Sequence, residues 1–348
     1  TKMLNTRPPC PYCGNCVNGC DVGAMFSTIS PTLPPALKTG NVTVLCDSVV
    51  SHVLMNEENQ ARGVRYVERY TKNVVEVEAK RVILAGSSLE NTRLLLNSHK
   101  SGLANSSGVL GHYVMDQVAG GDVSGFLPQL KGAAIRNDNG KAGGIYIPNF
   151  SNLGSKSGKF IRGYAMSASG GAAQFPAFAM GLPGFGSDFK KQVKQLYPAQ
   201  ARVWMSGGEM LAQKENFVEL DHDVKDAWGI PALRIHCTHC DNDKKIYQDF
   251  FEHAQEIFHA AGGEIVNATP RMAVPGSLIH EVGSCRMGND PKQSVLNSFC
   301  QTHDVSNLFV FGGGCFVSTG DKHPTLTMMA LAARGCDYLI DQASKSNI

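Results

Sequence analysis

The sequence predicts an α/β protein with an α+β part, in which parallel-sheet elements at both ends enclose an antiparallel sheet. Val82-Ile83-Leu84-Ala85 is an apolar run before a glycine turn and a helix, typical of a parallel strand buried on both faces. Leu308-Phe309-Val310-Phe311 is a short apolar strand that ends at a glycine turn, and the chain returns to an α/β pattern there. Between them, residues 111–215 are rich in Gly, Ser and aromatic residues in short alternating runs, which favours antiparallel strands.

Composition sets the class of protein. A chain of 348 residues suggests about two domains. With 43% hydrophobic and 18% charged residues it is globular rather than disordered. A net charge of +2 disfavours a nucleic-acid partner, and no apolar run is long enough for a transmembrane segment. The chain begins Thr1-Lys2-Met3, so we expect a processed product or part of a longer chain, and the start does not identify the compartment.

The remaining elements follow from hydrophobic periodicity. Strands are predicted on both sides of a polar turn at Asn56–Gln60 and again after it, and helices where apolar residues recur at helical spacing. The predicted strands are 42–55, 62–69 and the two parts of 74–85. The predicted helices are 89–97, 188–196, 241–262 and 325–342.

Four of the 11 cysteines crowd into one short segment. Their spacing, Cys10-x2-Cys13-x2-Cys16-x3-Cys20, matches a ligand run of bacterial iron–sulfur proteins, except that Asp21 replaces the usual Pro. The same spacing also suits zinc or two disulfides. A cluster, a zinc ion and a stapled loop therefore all remain open.

A second group of metal-type side chains is His236, Cys237, His239 and Cys240. Neighbouring residues of a strand point to opposite faces, so the four cannot easily reach one ion. No second ligand pair follows at zinc-finger spacing. Buried cysteines and ordinary histidines are the favoured interpretation.

Two histidines lie beside glycine-rich segments at predicted sheet edges. His280 begins HEVGSCRMG, and His323 precedes Pro324-Thr325 at the start of the last helix, after Gly312-Gly313-Gly314. A glycine turn lets a ligand approach the backbone closely, and a helix N-terminus offers free N–H groups. Together they predict a ligand site with a histidine pair that titrates near neutral pH.

With these motifs, the chain resembles a glucose–methanol–choline (GMC) oxidoreductase, matching about the C-terminal two thirds of a typical member. The segments around His280 and His323 follow the family order, and Cys16–Ala24 resembles the branches of sterol oxidases and FAD-dependent sugar dehydrogenases. Gly108–Gln117 resembles the entry to the substrate domain, where the family often has His in place of Gln117.

The resemblance implies the C-terminal part of an FAD-binding Rossmann-like domain with an inserted antiparallel-sheet substrate domain. The implied ranges are 1–110 and 280–348 for the FAD-binding domain and 111–279 for the substrate domain. His280 inherits the role of catalytic base and His323 that of its partner. The residues implied to contact FAD are Val50, Ala85, Gly86, Gly313, Gly314, Pro324 and Thr325.

The resemblance also implies a reaction: oxidation of an alcohol by proton removal and hydride transfer to FAD. The polar content of residues 111–279 favours a sugar over a sterol. If the four cysteines hold a 3Fe-4S or 4Fe-4S cluster, electrons leave through it towards a cytochrome or another acceptor subunit. A sugar dehydrogenase of this kind would be periplasmic, whereas an enzyme with another substrate would be cytoplasmic.

One departure leaves alternatives open. The family's glycine fingerprint for the FAD pyrophosphate, G-x-G-x-x-G between a strand and a helix, is absent. The chain could therefore be a catalytically incomplete fragment, or an electron-transfer or structural half of a split enzyme. A sterol-type alcohol oxidase is the other alternative.

Overall fold

The structure is a computed structural model that describes residues 7–12, 16, 19–134, 144–154, 158–170 and 176–348. It is a mixed α/β protein with antiparallel sheets, which confirms the predicted fold class. One buried cluster takes its residues from 53–110 and 285–315, and the other from 115–282. Both ends of the chain thus share a core. Within the described ranges, no helix is both long and apolar enough to cross a bilayer.

An antiparallel three-stranded sheet begins the regular part of the chain. The strands are β1 (Ser48–Met55), β2 (Ala61–Glu68) and β3 (Val74–Glu78), in that order. The predicted turn joins β1 to β2, closed by the Asn56 N–H donating to the Gln60 carbonyl at 2.9 Å. A short helix, α1 (Leu33–Lys38), precedes the sheet and starts on two prolines, which suit the first turn of a helix.

Two parallel strands join the ends of the chain. β4 (Val82–Leu84) pairs with a late strand, Leu308–Val310, and helix α2 (Ser88–Ser98) follows β4. The prediction that this apolar run is buried on both faces is wrong for Ile83, whose exposed fraction is 46%. Side chains alternate along a strand, so Val82 and Leu84 enter the core while Ile83 lines a cavity on the other face.

A six-stranded antiparallel sheet forms the middle of the molecule. Its strands are β5 (Gln117–Val118), β6 (Asp122–Phe126), β7 (Ile145–Ile147), β8 (Tyr164–Gly170), β9 (Gln200–Glu209) and β12 (Glu264–Asn267). The order is β12-β6-β9-β8-β7, with β5 pairing β9. Helix α4 (Asp241–Ala260) packs on this sheet through Ile246, Phe250, Ala254 and Phe258, the face that its periodicity predicts. Helix α3 (Gly186–Leu196) is the other predicted helix here.

A hairpin that the sequence did not predict links the two cores. It consists of β10 (Phe217–Lys225) and β11 (Pro231–His236), and charged residues such as Asp221 and Asp223 obscure its alternation. Arg93 of α2 donates to the Pro231 carbonyl at 2.6 Å and pairs with Asp226 at 2.8 Å. The late strand paired with β4 is β13 (Leu308–Val310), and the last helix is α5 (Thr325–Ser344).

We expect Arg93→Met to lower the free energy of unfolding by about 2 kcal/mol at pH 7, because backbone carbonyls and Asp226 lose their donor. Burial raises the pKa of Asp226, but the hydrogen bonds from Arg93 and the backbone outweigh it and the net shift is downward. A depressed carboxyl pKa stabilises the fold above the unfolded value of about 3.9 and loses that effect as pH falls through the folded pKa. Urea unfolding at pH 7 and at about pH 3 should show that the parent and Arg93→Met differ less in free energy of unfolding in acid.

The matched control is Arg69→Met, which removes an ion pair at 3.4 Å whose arginine side chain is 56% exposed. Arg69→Met should lower the free energy of unfolding by less than about 0.5 kcal/mol. Equal losses for the two variants would contradict the role given to Arg93.

Candidate active site

The structure brings the two predicted histidines together, although 43 residues separate them in the chain. His280 Nε2 and His323 Nδ1 are 3.1 Å apart, and their ring centroids are 4.8 Å apart with planes at 75°. His280 is half-buried and His323 is exposed. A hydroxyl oxygen placed beside both nitrogens can hydrogen-bond to the two at once.

The backbone leading into His280 is held by Asp116. This carboxylate is 2% exposed and accepts backbone N–H groups from Gly276 at 2.9 Å, Leu278 at 3.0 Å and His280 at 3.0 Å. Three donors satisfy the buried charge, as burial of a carboxylate requires. These hydrogen bonds therefore fix the backbone from which the His280 ring projects.

Gln117, the next residue, touches the segments of both histidines. Its Oε1 is 2.7 Å from His280 Nδ1, and its Nε2 donates to the Lys322 carbonyl at 2.8 Å and to that of Gly320. The sequence alone assigns Gln117 no role. Two signals pointed to this position: the family often has His there, and the polar pair Asp116-Gln117 directly follows the apolar Val114-Met115.

Burial is the first cause that lowers the pKa of His280, and the neighbouring His323 lowers it further. The charged form is disfavoured because few water molecules reach the ring and a second histidine faces it. His280 is therefore neutral at pH 7, the state in which an imidazole can accept a proton.

Two neighbouring cavities lie on the side of His280, and together they are called the groove below. The cavity beside His280 has about 550 Å³ and the other about 300 Å³, and Ala85 and Glu90 line both. The predicted cofactor residues divide between them. Gly313, Pro324 and Thr325 line the first, and Val50 and Gly86 line the second.

The glycines of 312–314 have different surroundings. A Cβ on Gly312 would meet no atom within 4 Å, whereas one on Gly313 would lie 2.6 Å from Ser88 Oγ. Gly314 is buried behind the cavity, where a Cβ would contact Cys285 and Ser88 at 3.5 and 3.7 Å. Gly314 lines neither of the two cavities, and its predicted contact with FAD stays a prediction.

The cysteine-rich segment lies away from these contacts. Cys10 and Cys16 are exposed, Cys20 is partly exposed, and Cys13 falls outside the described residues. The backbone N–H of Met25, with others of the same turn, holds the pKa of Cys20 below its usual range. Among the described residues, no three His, Cys, Asp or Glu side chains are grouped to bind a metal ion, so the predicted ligand set remains a prediction.

The second cysteine and histidine group has partners within the protein. His236 pairs with Glu219 at 2.9 Å, and His239 Nε2 is 3.1 Å from the Ala273 carbonyl. Burial raises the pKa of Cys237 to about 11, which keeps this thiol protonated at neutral pH. A protonated thiol is a poor metal ligand.

Comparison with known proteins identifies the family. Two models described as GMC oxidoreductase match residues 4–119 and 212–332. The chain belongs to the GMC oxidoreductase family. It is 30% identical to a 2-methyl-1,2-propanediol dehydrogenase of Mycolicibacterium austroafricanum, over 94% of this chain and 59% of that protein. It is also 27% identical to the fructose dehydrogenase large subunit of Gluconobacter japonicus, over 98% of this chain and 61% of that protein.

Solved structures share the fold of this chain. A formate oxidase of Aspergillus oryzae matches with a TM-score of 0.63 and 14% identity, over 91% of this chain and 64% of that one. A pyridoxine 4-oxidase matches with a TM-score of 0.56. This GMC chain thus spans about 60% of the length of the curated relatives above, which share 59% and 61% of their length with it.

We expect Gly313→Ala to destabilise this GMC chain by about 2 kcal/mol, because the new Cβ would crowd Ser88, Met328 and the Glu281 carbonyl at 2.6–2.8 Å. All three residues line the larger cavity, so its shape should change as well. Thermal unfolding measures the loss. The control is Gly181→Ala, where no atom lies within 4 Å, and an equal loss there would contradict the steric argument.

Proposed function

We propose that this chain carries the alcohol-oxidising centre of an FAD-dependent GMC enzyme. The observation that carries the proposal is the His280–His323 pair, 3.1 Å apart, with His280 lining the larger of two adjacent cavities. A base and a hydrogen-bond donor on one oxygen are what removal of an alcohol proton needs. The named dehydrogenases and oxidases among the relatives support the same reaction class.

The groove fits a long ligand such as FAD. Its two cavities, about 550 and 300 Å³, are within the range of ligand sites, and Gly312 leaves open space where a side chain would protrude. Gly313, Pro324 and Thr325 would hold the end beside the histidines, and Val50, Ala85 and Gly86 the far end. When bound, FAD supplies the acceptor for the hydride of the alcohol carbon.

The arrangement of the two rings determines where the hydroxyl proton of the substrate goes. His280 Nε2 accepts the proton of the substrate hydroxyl, and His323 donates from Nδ1 to the same oxygen. The donor stabilises the negative charge that develops as the proton leaves. Asp116 and Gln117 keep His280 in place throughout, since both are 2% exposed and bonded to its segment.

For the substrate we propose a small polar alcohol, such as a sugar or a diol. Polar groups surround the His323 segment: the Tyr146 hydroxyl donates to the Asp321 carbonyl at 3.4 Å, and Lys322 lies 5.1 Å from the Tyr146 ring. Glu209 lies opposite Gln117 in the sheet, and burial raises its pKa. Such groups suit hydroxyl-rich substrates better than a sterol, and turnover of a sterol alone would reverse this choice.

We expect His280→Ala to slow anaerobic flavin reduction by an alcohol about 10²–10⁴-fold, because the general base is lost. His323→Ala should cost about 10²-fold or more, whereas His323→Asn retains an N–H donor and should cost clearly less. In the parent, the pKa of His280 lies below its ordinary 6.5, so the rate should fall only as pH drops below that value. Stopped-flow absorbance measures these rates.

Flavin content is the control for each variant. Equal flavin content with unchanged rates in both alanine variants would contradict the proposed roles. Flavin bound by the parent but reduced by no alcohol would leave a catalytically incomplete fragment as the better description.

We further propose that Cys10, Cys13, Cys16 and Cys20 hold an iron–sulfur cluster that takes electrons to an acceptor subunit or a cytochrome. Backbone N–H groups bond to two of these sulfurs, since Tyr12 N donates to Cys10 Sγ at 3.4 Å and Ala24 N to Cys20 Sγ at 3.2 Å. N–H donors of this kind surround protein-bound clusters and tune their potential. Two relatives are named as a fructose dehydrogenase large subunit and a gluconate 2-dehydrogenase flavoprotein.

Anaerobically purified protein should then contain about three to four irons per chain with matching sulfide. Cys16→Ser and Cys20→Ser should lose most of this iron, whereas Cys46→Ser, at an exposed cysteine outside the run, should keep it. Iron and sulfide assays measure both. Zinc in place of iron, or no metal in the parent, would contradict the cluster.

A further inference from the structure

Building on the proposed function, we infer that Gln117 is a positioning residue that selects which nitrogen of His280 is free to act as the base. One side-chain amide bonds to the His280 ring on one side and to the segment before His323 on the other. The Gln117 amide thus determines which nitrogen of His280 carries the proton, and it holds the segment that places His323.

The atoms allow one arrangement of protons. One end of the Gln117 amide lies against the carbonyls of Gly320 and Lys322, which only accept, so this end is the NH₂ group. The other end is then the amide oxygen, 2.7 Å from His280 Nδ1, and it also only accepts. His280 Nδ1 therefore carries the hydrogen, and in the neutral ring the lone pair is on Nε2.

The free nitrogen faces the second histidine. His280 Nε2 is 3.1 Å from His323 Nδ1, so His323 donates its Nδ1 hydrogen in the absence of an alcohol. A hydroxyl that approaches both nitrogens from one side would give its proton to His280 and accept from His323. The opposite tautomer of His280 would present an N–H here and could not accept the proton.

The neighbouring strand holds the amide in place. Gln117 is 2% exposed and packs against Gly207 of β9, where a Cβ would lie 2.7 Å from Gln117 Oε1 and 3.1 Å from its Nε2. A side chain at 207 would thus displace the amide. The next residue, Gly208, is equally crowded, but by Val118, Met205 and Ile246. The two glycines provide a matched pair of substitutions on one strand.

Other side chains at position 117 can be compared by whether they offer a donor to the two carbonyls and an acceptor to His280 Nδ1. A neutral His can accept at one nitrogen and donate from the other, so Gln117→His should preserve the arrangement. Leu offers neither group and leaves buried partners unpaired. Glu places an oxygen against two carbonyls and a negative charge beside His280. Other charged or titratable groups around the ring and Gln117 include His323, Asp116 and Glu209, which lies opposite Gln117 on β9. Asp321 and Lys322 lie on the segment before His323.

The test is ¹⁵N NMR of histidine-labelled full chain without added flavin, with His280→Gln to assign the His280 signals among 11 histidines. We expect the Nδ1-protonated tautomer in the parent, in Gln117→His and in Gly208→Ala. Gln117→Leu and Gly207→Ala should shift the hydrogen towards Nε2. Gln117→Glu should raise the titration midpoint of His280 by about 1–3 pH units, because an anion now faces the ring.

Two results would overturn the inference: an Nε2-protonated His280 in the parent, or a tautomer unchanged in both Gln117→Leu and Gly207→Ala. If Gln117→Leu fails to fold, the comparison of Gly207→Ala with Gly208→Ala decides alone. Because no alcohol or flavin is involved, the result is independent of whether the proposed oxidation is found.

Discussion

The buried carboxylate of Asp116 and the amide of Gln117 hold the two histidines within hydrogen-bond distance of each other. Asp116 binds three backbone N–H groups of the segment 276–280, and Gln117 binds the His280 ring and the carbonyls before His323. Both residues sit at the start of the six-stranded sheet, where Met115 and Val282 exchange backbone hydrogen bonds at 2.9 Å. The sheet therefore positions groups that belong to the C-terminal segment.

The groove depends on a different part of the fold. Its walls come from the turn after β4, the turn after β13 and the start of α5, which parallel pairing of β4 and β13 brings to one edge. Ser88 at the start of α2 ties this edge to the histidine segment by donating to the Glu281 carbonyl. The larger cavity therefore lies beside His280, because residues attached to both buried clusters meet there.

The sequence predicted the regular elements well where one periodicity prevails. The amphipathic α4 and the strands around Asn56–Gln60 are confirmed, because burial of one face determines their pattern. The last helix is confirmed as well, although Gly335 is its one buried residue and Leu326 and Ile340 are 78% and 64% exposed. The hairpin of β10 and β11 was missed since its exposed side is charged, and Ile83 was misjudged because a run of apolar residues does not reveal a cavity. The approach of His280 to His323 was implied by family resemblance, but no sequence pattern could show that one amide joins them.

The role of the histidine pair is tested by an anaerobic absorbance titration of the FAD-loaded protein with a polyol, a sugar and a sterol. We expect flavin to bind and its visible bands to bleach with a polar alcohol in the parent, but far more slowly in His280→Ala at equal flavin content. Bleaching at the same rate in both proteins, or bound flavin that no alcohol reduces, would contradict the claim that the histidine pair is an alcohol-oxidising centre.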